Sequence, residues 1–492
     1  KFLIGPPKKI SIDDNGKFLK PALAFIENNN LDSKKIEFVT NERGEFIAAN
    51  KTIIGENTTN LLKEITYDSI NKIKNKKFMR WGSGNFQFIR PIRNIFLLFD
   101  SKFLKIDFNN IKNENKVIGH RFFNAKGKRI LSYNEYFEFM KRSYVEIDFN
   151  ERKKSIENQI NKIEKKLNIY VPIDKELLDH VANLTEFPNV LVGNFDNDFL
   201  EIPKEVNISV MKNHQKYFPV FKDKKFNNLD SKFIFVSGSP FLDKKTVISG
   251  NEKVIRARLD DAKFFYNEDM SQGLSNIQNK LAFTTFITGA GSYEEKAKRV
   301  FIISKQLIKE LGIENRINEK DLIDISKLIK ADLSSQMVYE FPELQGIMGK
   351  YYYEKVDKNI AEIIEQHYLP KGRTDALPTN EIAKVISIAD KIDTITCCFG
   401  LNLIPTGSSD PYGLRRNSIG IIRIAESLKK NLDLISLLNV SIDCFQKNSN
   451  NKVGEDSKTN AIEFFIDRVK NYLFDMGYQT NVINSVLKID SP

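Results

Sequence analysis

The stretch NEKVIRARLDDAKFFYNED, residues 251–269, marks the point where the hydrophobic pattern of this 492-residue chain changes. Apolar residues recur in it at the spacing of one helix face, namely Val254, Ile255, Leu259, Ala262, Phe265 and Tyr266. Most other positions are charged and include Arg256, Arg258 and Lys263. The pattern predicts an amphipathic helix, and it leaves open whether these cations are solvated or face an anionic partner.

The pattern is mixed before this stretch and helical after it. Helices are predicted over 21–29 and 150–168, and short strands over 86–100, 102–108, 116–123, 142–149, 189–203 and 232–240. From residue 251 onward the apolar residues repeat about every 3.6 positions, as in helices with one buried face. The predicted fold class is therefore multidomain α+β, with a mixed α/β N-terminal half and an all-α C-terminal half.

The net charge and the cysteine content indicate which binding partners and which cellular compartment to expect for this protein. The formal net charge is +11, which favours an anionic partner such as nucleic acid. Abundant Lys, Asn, Ile and Phe also follow from AT-rich codons, so composition alone leaves that partner open. The three cysteines, two of them adjacent, favour a reduced cytoplasmic protein. No run of 18 apolar residues occurs, so no membrane span is predicted.

The common nucleotide and catalytic motifs are missing from this sequence. There is no GxxxxGK phosphate loop, and neither HExxH nor GxSxG occurs. The GSG at 82–84 and the GAG at 289–291 both lack the third glycine of a dinucleotide fingerprint. The sequence therefore predicts no catalytic residue and no bound cofactor for this chain.

Asp332, His367 and Asp390 are spaced as in the HD-type metal phosphohydrolases, whose metal activates water. Ile287 stands where the first His of that pattern would fall, and Ala331 breaks the His-Asp pair. With two imidazoles gone, the carboxylates would hold a transition metal poorly. The residues themselves therefore favour carboxylates that are satisfied inside a helical bundle, without a metal. An HD-type metal-dependent phosphohydrolase remains the alternative function.

Seven segments occur in the order found in one known family, over nearly the whole chain: 79–100, 118–130, 183–221, 249–270, 330–352, 365–380 and 388–424. The fourth contains the opening stretch, NEKVIRARLDDAKFFYNED, which resembles a signature segment of that family. Through these segments the chain resembles the beta subunit of the bacterial two-subunit glycyl-tRNA synthetase.

The resemblance implies a function in protein biosynthesis. In this family the alpha subunit carries the catalytic core and uses glycine, ATP and Mg²⁺, whereas the beta subunit supplies most of the tRNA recognition. The implied role is to bind and position tRNA-Gly for ATP-dependent glycylation, within a cytoplasmic alpha2beta2 glycine-tRNA ligase. A general RNA-binding scaffold, without preference for tRNA-Gly, is the weaker alternative.

The resemblance also implies a domain order. Residues 1–250 would be mixed α/β and resemble the tRNA-proximal domain of the phenylalanyl-tRNA synthetase beta subunit, and 251–410 would be the degenerate HD-like domain. Residues 411–492 would be a helical linker and tRNA-binding region. The family's N-terminal segment and its C-terminal anticodon-binding domain are missing from this sequence, so we expect this piece alone to recognise tRNA incompletely.

Basic residues within the resembling segments are candidates for tRNA contact. They are Arg80, Arg90, Arg93, His120, Arg121, Lys212, His214, Lys216, Arg256, Arg258, Lys263, Arg415 and Arg416. Arginine can donate two hydrogen bonds to one phosphate, and basic residues interleaved with aromatics suit single-stranded RNA. The alternative for each is a structural ion pair or a solvated position, and for Arg415 and Arg416 it is pairing with Asp410.

Overall fold

The computed structural model describes residues 1–42, 44–52, 55–75, 77–238, 243–407, 409–449 and 454–487. The chain divides into an N-terminal unit, Lys1–Val145, and a C-terminal unit, Glu146–Pro492. The predicted multidomain α+β class with a helical C-terminal half is confirmed. The limits predicted for the natural domains, at residues 250 and 410, stay a prediction. No described helix is long and apolar enough to span a bilayer.

The N-terminal unit contains one three-stranded sheet and several very short strand pairs. Its elements are β1 Phe2–Pro7, α1 Lys8–Ser11, α2 Lys20–Asn28, β2 Ile36–Asn41, β3 Gly44–Asn50, α3 Thr58–Lys72, β4 Met79–Arg80, β5 Gln87–Phe88, β6 Leu98–Phe99, β7 Lys102–Phe103 and α4 Tyr133–Arg142. The sheet is antiparallel in the order β1-β3-β2, and Ile47 and Ala48 of the central strand are fully buried. The ring of Phe25 in α2 packs closely over Gly5, where a Cβ atom would lie 2.8 Å from it.

Three predicted strands of this unit are wrong for most of their length. Of 102–108 only β7 is a strand, 116–123 contains a single isolated bridge, and 142–149 contains the end of α4 and the start of the next helix. The backbone groups bond within turns instead of along a ladder, since the His120 carbonyl accepts from the amides three and four residues later. Alternating apolar residues form a strand only where a second strand takes up these backbone groups.

The C-terminal unit begins with helices around a second sheet and continues as a helical bundle. Its first elements are α5 Phe149–Leu167, α6 Lys175–Leu184, β8 Asn189–Asn194, α7 Lys204–Ser209, β9 Phe218–Phe221, β10 Leu229–Ser237, α8 Lys244–Gln272 and α9 Leu274–Ile277. Then follow β11 Thr285–Ile287, β12 Gly291–Ser292, α10 Tyr293–Leu311, α11 Glu319–Leu328, α12 Gln336–Glu340, α13 Ile347–Tyr353, α14 Lys358–Gln366, α15 Glu381–Gly400, α16 Leu414–Leu428, α17 Leu434–Ser449, α18 Glu455–Asp475 and α19 Thr480–Val486.

The second sheet, in the order β8-β10-β9, is covered by helices on both faces. Ile234 of β10 belongs to an apolar cluster with Ile156 of α5, whereas the neighbouring Phe233 belongs to a cluster with Ile255 and Leu259 of α8. Successive strand residues point to opposite faces, so one strand contributes to both clusters. The predicted helix over 251–269 is confirmed, and its apolar face packs on this sheet.

Gly193 of β8 lies opposite Phe233 of β10 in the antiparallel register, and the phenyl ring occupies the space that a side chain would need. A Cβ atom at this position would lie 2.4 Å from Phe233 Cζ. We expect Gly193→Ala to lower the free energy of unfolding by about 1–3 kcal/mol through overpacking, measured by urea denaturation.

Gly250→Ala is the matched control for this prediction. Gly250 lies inside α8 with no atom within 4 Å of its added Cβ, so alanine there should be neutral or stabilising. Stabilisation by both substitutions would contradict the close contact between Gly193 and Phe233.

Helix α15 lies at the centre of the bundle and packs against α10, α16, α17 and α18. Sixteen of its twenty residues are buried, so it has no solvent-facing side on which to place charges. Three of the buried residues are Asp390, Lys391 and Asp393. Because a buried charge is costly without a partner, these three residues require counterions or hydrogen-bond partners within the bundle.

Candidate functional site

Two cations of α10 neutralise Asp393 of α15. Arg299 Nε and Nη2 donate to the two carboxylate oxygens of Asp393 at 2.5 and 3.2 Å, and Lys296 Nζ donates to Oδ2 at 3.0 Å. Arg299 is fully buried and Lys296 is 2% exposed. Burial disfavours both charges, but the aspartates outweigh it and raise the pKa of Arg299 and of Lys296 above their usual values. These contacts join α10 to α15 without access to water.

Asp390, one turn earlier on α15, lies between two lysines. Lys296 Nζ is 3.0 Å from Oδ1, and Lys330 Nζ is 2.9 Å from Oδ2. Burial opposes ionisation of Asp390, but the two ammonium groups outweigh it and hold the pKa of the carboxyl well below its usual range. Lys330 Nζ also lies 3.8 Å from the ring centroid of Tyr368. Burial lowers the pKa of Lys330 in spite of Asp390.

Lys391 faces a polar pocket of backbone and hydroxyl oxygens. Its Nζ donates to Ser387 Oγ at 2.6 Å and to the Leu369 carbonyl at 3.1 Å. Burial lowers the pKa of Lys391 to about 7, although Asp390 opposes this shift. Lys391 is therefore a buried amine that is only partly protonated at neutral pH.

Asp332 lies in the short 3-10 segment Ala331–Ser334 and is fully buried. Its Oδ2 accepts from the amides of Gly346 and Gly349 at 2.5 and 3.3 Å, and Oδ1 accepts from Tyr368 Oη at 3.4 Å. Burial raises the pKa of Asp332 to about 6, although these hydrogen bonds and Lys330 oppose the shift. The carboxylate thus fixes the backbone at the start of α13.

His367 follows α14 and is fully buried. Its Nδ1 lies 2.6 Å from the Ile364 carbonyl, which can only accept, so Nδ1 carries the proton and Nε2 is unprotonated. Nε2 has no hydrogen-bond partner among the described residues. Burial, followed by the charge of Lys330, lowers the pKa of His367 well below its usual value. The imidazole is neutral in the folded protein.

The fold brings Asp332, His367 and Asp390 together around Lys330. Ile287 lies in the apolar cluster of the bundle, and Ala331 is fully buried. Ammonium groups lie against Asp390 on the side where a divalent cation would have to bind, and like charges exclude each other there. Among the described residues, no three His, Cys, Asp or Glu side chains are arranged to hold a metal. The alternative of an HD-type phosphohydrolase is not supported.

Sequence reasoning did not identify four members of this ionic cluster: Lys296, Arg299, Lys330 and Asp393. Two of them could have been noticed in the sequence. Lys330 directly precedes Ala331, a position already singled out for the HD pattern, and Asp393 is a charged residue within an apolar run. A charge in such a run indicates a buried ion pair. The partner of Asp393 could not be read from the pattern, since Arg299 and Asp393 are 94 residues apart in the chain.

Two of the four cations of the opening stretch, Arg256 and Lys263, make ion pairs within the chain. Arg256 donates through both terminal nitrogens to the Asp196 carboxylate, with N–O distances of 2.8 and 3.0 Å. Lys263 Nζ lies 3.1 Å from Glu201 Oε2. Arg256 and Lys263 therefore hold α8 to the segment after β8, whereas Lys253 and Arg258 are exposed and form no ion pair with another described residue.

The basic residues of KNHQKYF, 212–218, lie in a π-helical turn that ends at Lys216. Lys212 Nζ is 2.5 Å from Asp174 Oδ2, and Lys216 Nζ donates to the Asn213 carbonyl at 2.7 Å. His214 Nε2 lies 4.0 Å from Glu343 Oε1. Each of these three predicted RNA contacts already has a partner within the chain.

Arg415 and Arg416 lie in the first turn of α16. The carboxylate of Asp410 lies at the N-terminus of this helix, where a phosphate would otherwise bind. The Asp410 carboxylate accepts from the amides of Leu414 and Arg415 at 2.8 and 3.0 Å. Arg415 Nη2 donates to the Thr406 carbonyl at 2.8 Å. Asp410 thus pairs with the backbone of the helix start and not with either guanidinium, and Arg416 stays exposed.

The candidates of the N-terminal unit are mostly exposed. Arg80 lies opposite Gln87 in the β4–β5 pair, and His120 is buried at 5% exposure whereas Arg121 is exposed. Trp81 is half-buried and packs edge-on against Phe86 with ring centroids 5.8 Å apart. Over both units, the exposed candidates without an ion pair to another described residue are Arg80, Arg90, Arg93, Arg121, Arg258 and Arg416.

Comparisons with known proteins give a consistent result. A family model described as glycyl-tRNA synthetase beta subunit matches residues 2–488. Three similar proteins each carry the name glycine-tRNA ligase beta subunit. That of Persephonella marina is 37% identical over 100% of this chain and 71% of its own length. That of Clostridioides difficile is 38% identical over 99% and 70%, and that of Colwellia psychrerythraea is 37% identical over 98% and 69%.

Proposed function

This chain belongs to the glycyl-tRNA synthetase beta subunit family, and on that premise we propose that it binds tRNA-Gly and positions it for ATP-dependent glycylation by a separate alpha subunit. The observation that carries the proposal is the family match, which runs from residue 2 to residue 488. Holding the acceptor end near the reacting groups contributes to rate without acid-base chemistry on this chain.

The ionic cluster around α15 has a structural role in this proposal. Asp390 and Asp393 are neutralised by lysine and arginine, and His367 is neutral and enclosed. These groups are not accessible to a substrate, so we assign no catalytic residue to them. Their contacts connect α10, α14 and α15 and keep the bundle in one arrangement.

The finer assignments follow the family. We propose an alpha2beta2 complex in the cytoplasm, in which the alpha subunit holds ATP and Mg²⁺. We assign residues 1–250 to a tRNA-proximal region, 251–410 to a degenerate HD-like domain and 411–492 to a tRNA-binding helical region. The net charge of +11 supports an RNA partner. The candidate RNA contacts that we favour are those exposed and without an ion pair: Arg80, Arg90, Arg93, Arg121, Arg258 and Arg416.

Reconstituted glycylation tests this function. Charging of tRNA-Gly is measured with the alpha subunit alone, with this chain alone and with both, over a series of salt concentrations. We expect charging only when both subunits are present, and a linear decline of log affinity for tRNA with log salt, because phosphate contacts release counterions.

Three results would argue against this function. Equal charging by the alpha subunit alone would remove the need for this chain. Equal binding of unrelated tRNAs would favour a general RNA-binding scaffold. Turnover of a phosphate ester by this chain alone with a divalent metal would favour the phosphohydrolase.

A further inference from the structure

One loop of the N-terminal unit, residues 116–129, combines unneutralised cations with exposed aromatic rings. We call it the basic loop. Residues 115–134 contain five cations and no carboxylate: Lys116, Arg121, Lys126, Lys128 and Arg129. Only Lys128 forms an ion pair with a described residue, at 2.7 Å to Glu135. Because no carboxylate occurs among these cations, the segment has a local excess of positive charge.

The same loop exposes two adjacent phenylalanines. Phe122 is 56% exposed and Phe123 is 53% exposed. The guanidinium carbon of Arg121 lies 4.5 Å from the ring centroid of Phe122, and Phe123 contacts Tyr144 edge-on with centroids 4.9 Å apart. Large apolar rings gain no stability from solvent exposure, so their position indicates a surface that another molecule covers.

Hydrogen bonds hold the backbone of the basic loop in one conformation. Val117 and Lys128 exchange two backbone hydrogen bonds of 2.9 Å at its base. His120, which is buried, donates its amide to the Ser143 carbonyl at 3.0 Å. Gly119 packs so closely on Ser143 that a Cβ atom would lie 2.3 Å from the serine Cβ. The loop is therefore fixed against the end of α4, and a ligand need not order it on binding.

We propose that the basic loop binds unpaired nucleotides of an RNA, with bases stacked on Phe122 and Phe123 and phosphates held by Arg121 and Lys126. Aromatic rings beside arginine are the surfaces on which proteins stack single-stranded bases, and free cations match the backbone charge. A protein partner would match the apolar rings but leave the cations unneutralised unless it were acidic. This inference rests on the proposed function, since it names the part of the RNA that this chain contacts.

The test uses the complex of the alpha subunit with this chain. The probe is a single-stranded oligoribonucleotide of about eight nucleotides with one 2-aminopurine, whose fluorescence reports stacking. Phe122→Leu keeps apolar bulk but removes the ring, and Lys126→Gln removes one charge. Phe283→Leu is the matched control, because Phe283 is 92% exposed and lies in the C-terminal unit.

We expect different signatures from the two loop variants. Phe122→Leu should weaken binding of the probe about tenfold without changing the salt dependence. Lys126→Gln should reduce the slope of log affinity against log salt by about 0.7. Phe283→Leu should leave both quantities unchanged. Glycylation of tRNA-Gly by the Phe122→Leu complex should lose kcat/KM by a similar factor.

Two results would overturn the inference. One is an affinity of Phe122→Leu for the probe equal to that of Phe283→Leu. The other is unchanged RNA binding with weakened association of the alpha subunit, which would make the loop a protein interface. Charging by the unmodified pair separates the two proposals. If the alpha subunit with the unmodified chain charges tRNA-Gly, and the loop variants bind the probe as tightly as Phe283→Leu does, only this inference fails. If the alpha subunit with the unmodified chain does not charge tRNA-Gly, the result argues against the proposed function.

Discussion

Asp393→Asn is expected to lower the free energy of unfolding of the C-terminal unit by about 3–5 kcal/mol. Asparagine has nearly the same shape, so the substitution removes charge without creating a cavity. It leaves Arg299 fully buried and without a carboxylate within the ion-pair distance, and it removes one of the two carboxylates at Lys296. An arginine cannot escape this cost by losing its proton. The full penalty of an unpaired buried charge therefore falls on the folded state.

Urea denaturation followed by circular dichroism at the helix band measures this effect, because the C-terminal unit contains the bundle. Glu319→Gln is the matched control. Glu319 pairs with Lys305 at 2.7 Å, but both side chains are more than half exposed. We expect the control to change stability by less than about 1 kcal/mol. A similar small change for Asp393→Asn would show that the pair with Arg299 contributes little.

Asp390→Asn is expected to destabilise the folded protein by about 3 kcal/mol or more at neutral pH, and by less as the pH rises. Lys330 would lose its only ion-pair partner among the described residues and would remain 6% exposed. The pKa of Lys330 is already lowered by burial, and without Asp390 it falls further. Lysine differs from arginine here, since it can shed its proton and so limit the penalty.

The direction of the pH effect follows from proton binding. When the pKa of a lysine is lower in the folded state than in the unfolded state, the unfolded chain binds more protons between the two values. Stability therefore rises with pH over that range. Lys391, whose pKa is lowered to about 7, gives this slope to the unmodified protein as well. Asp390→Asn lowers the pKa of Lys330 further and so steepens the contribution of Lys330 to this slope, and the difference in stability between variant and unmodified protein should shrink from pH 7 toward pH 10.

Adding Lys330→Met to Asp390→Asn supplies the control for this second prediction. Replacing both members of a buried pair by uncharged groups removes the unpaired charge, so the double variant should be more stable than Asp390→Asn alone at neutral pH. The difference in the free energy of unfolding between the double variant and the unmodified protein should also depend less on pH. A deficit of Asp390→Asn that is constant with pH, or a double variant less stable than the single one, would argue against a charged Lys330–Asp390 pair.

Much of the helical half was predictable because helical order is local. The spacing of Ile255, Leu259 and Ala262 identifies the buried face of α8 from a short window of sequence. The strands were harder, since residues 102–108 and 116–123 alternate as strands do but lack neighbouring strands to pair with. Whether such a segment becomes a strand is decided by the rest of the chain.

The candidate site was predictable only in outline. The spacing of Asp332, His367 and Asp390 suggested that these residues share one region of the fold, whereas the degenerate HD assignment of Ile287 and Ala331 stays a prediction. That lysines neutralise these buried aspartates was not visible, since Lys296 and Asp393 are 97 residues apart. The same holds for Arg256, whose partner Asp196 is 60 residues earlier.

The sequence by itself determined the fold class, the helices of the second half and the family of this chain. These features depend on residue identity and on spacing within one or two turns. Only the tertiary structure decided which cations are paired within the chain and which face solvent. Burial and ion pairing depend on distances between elements remote in sequence, and those distances exist only once the helices have packed.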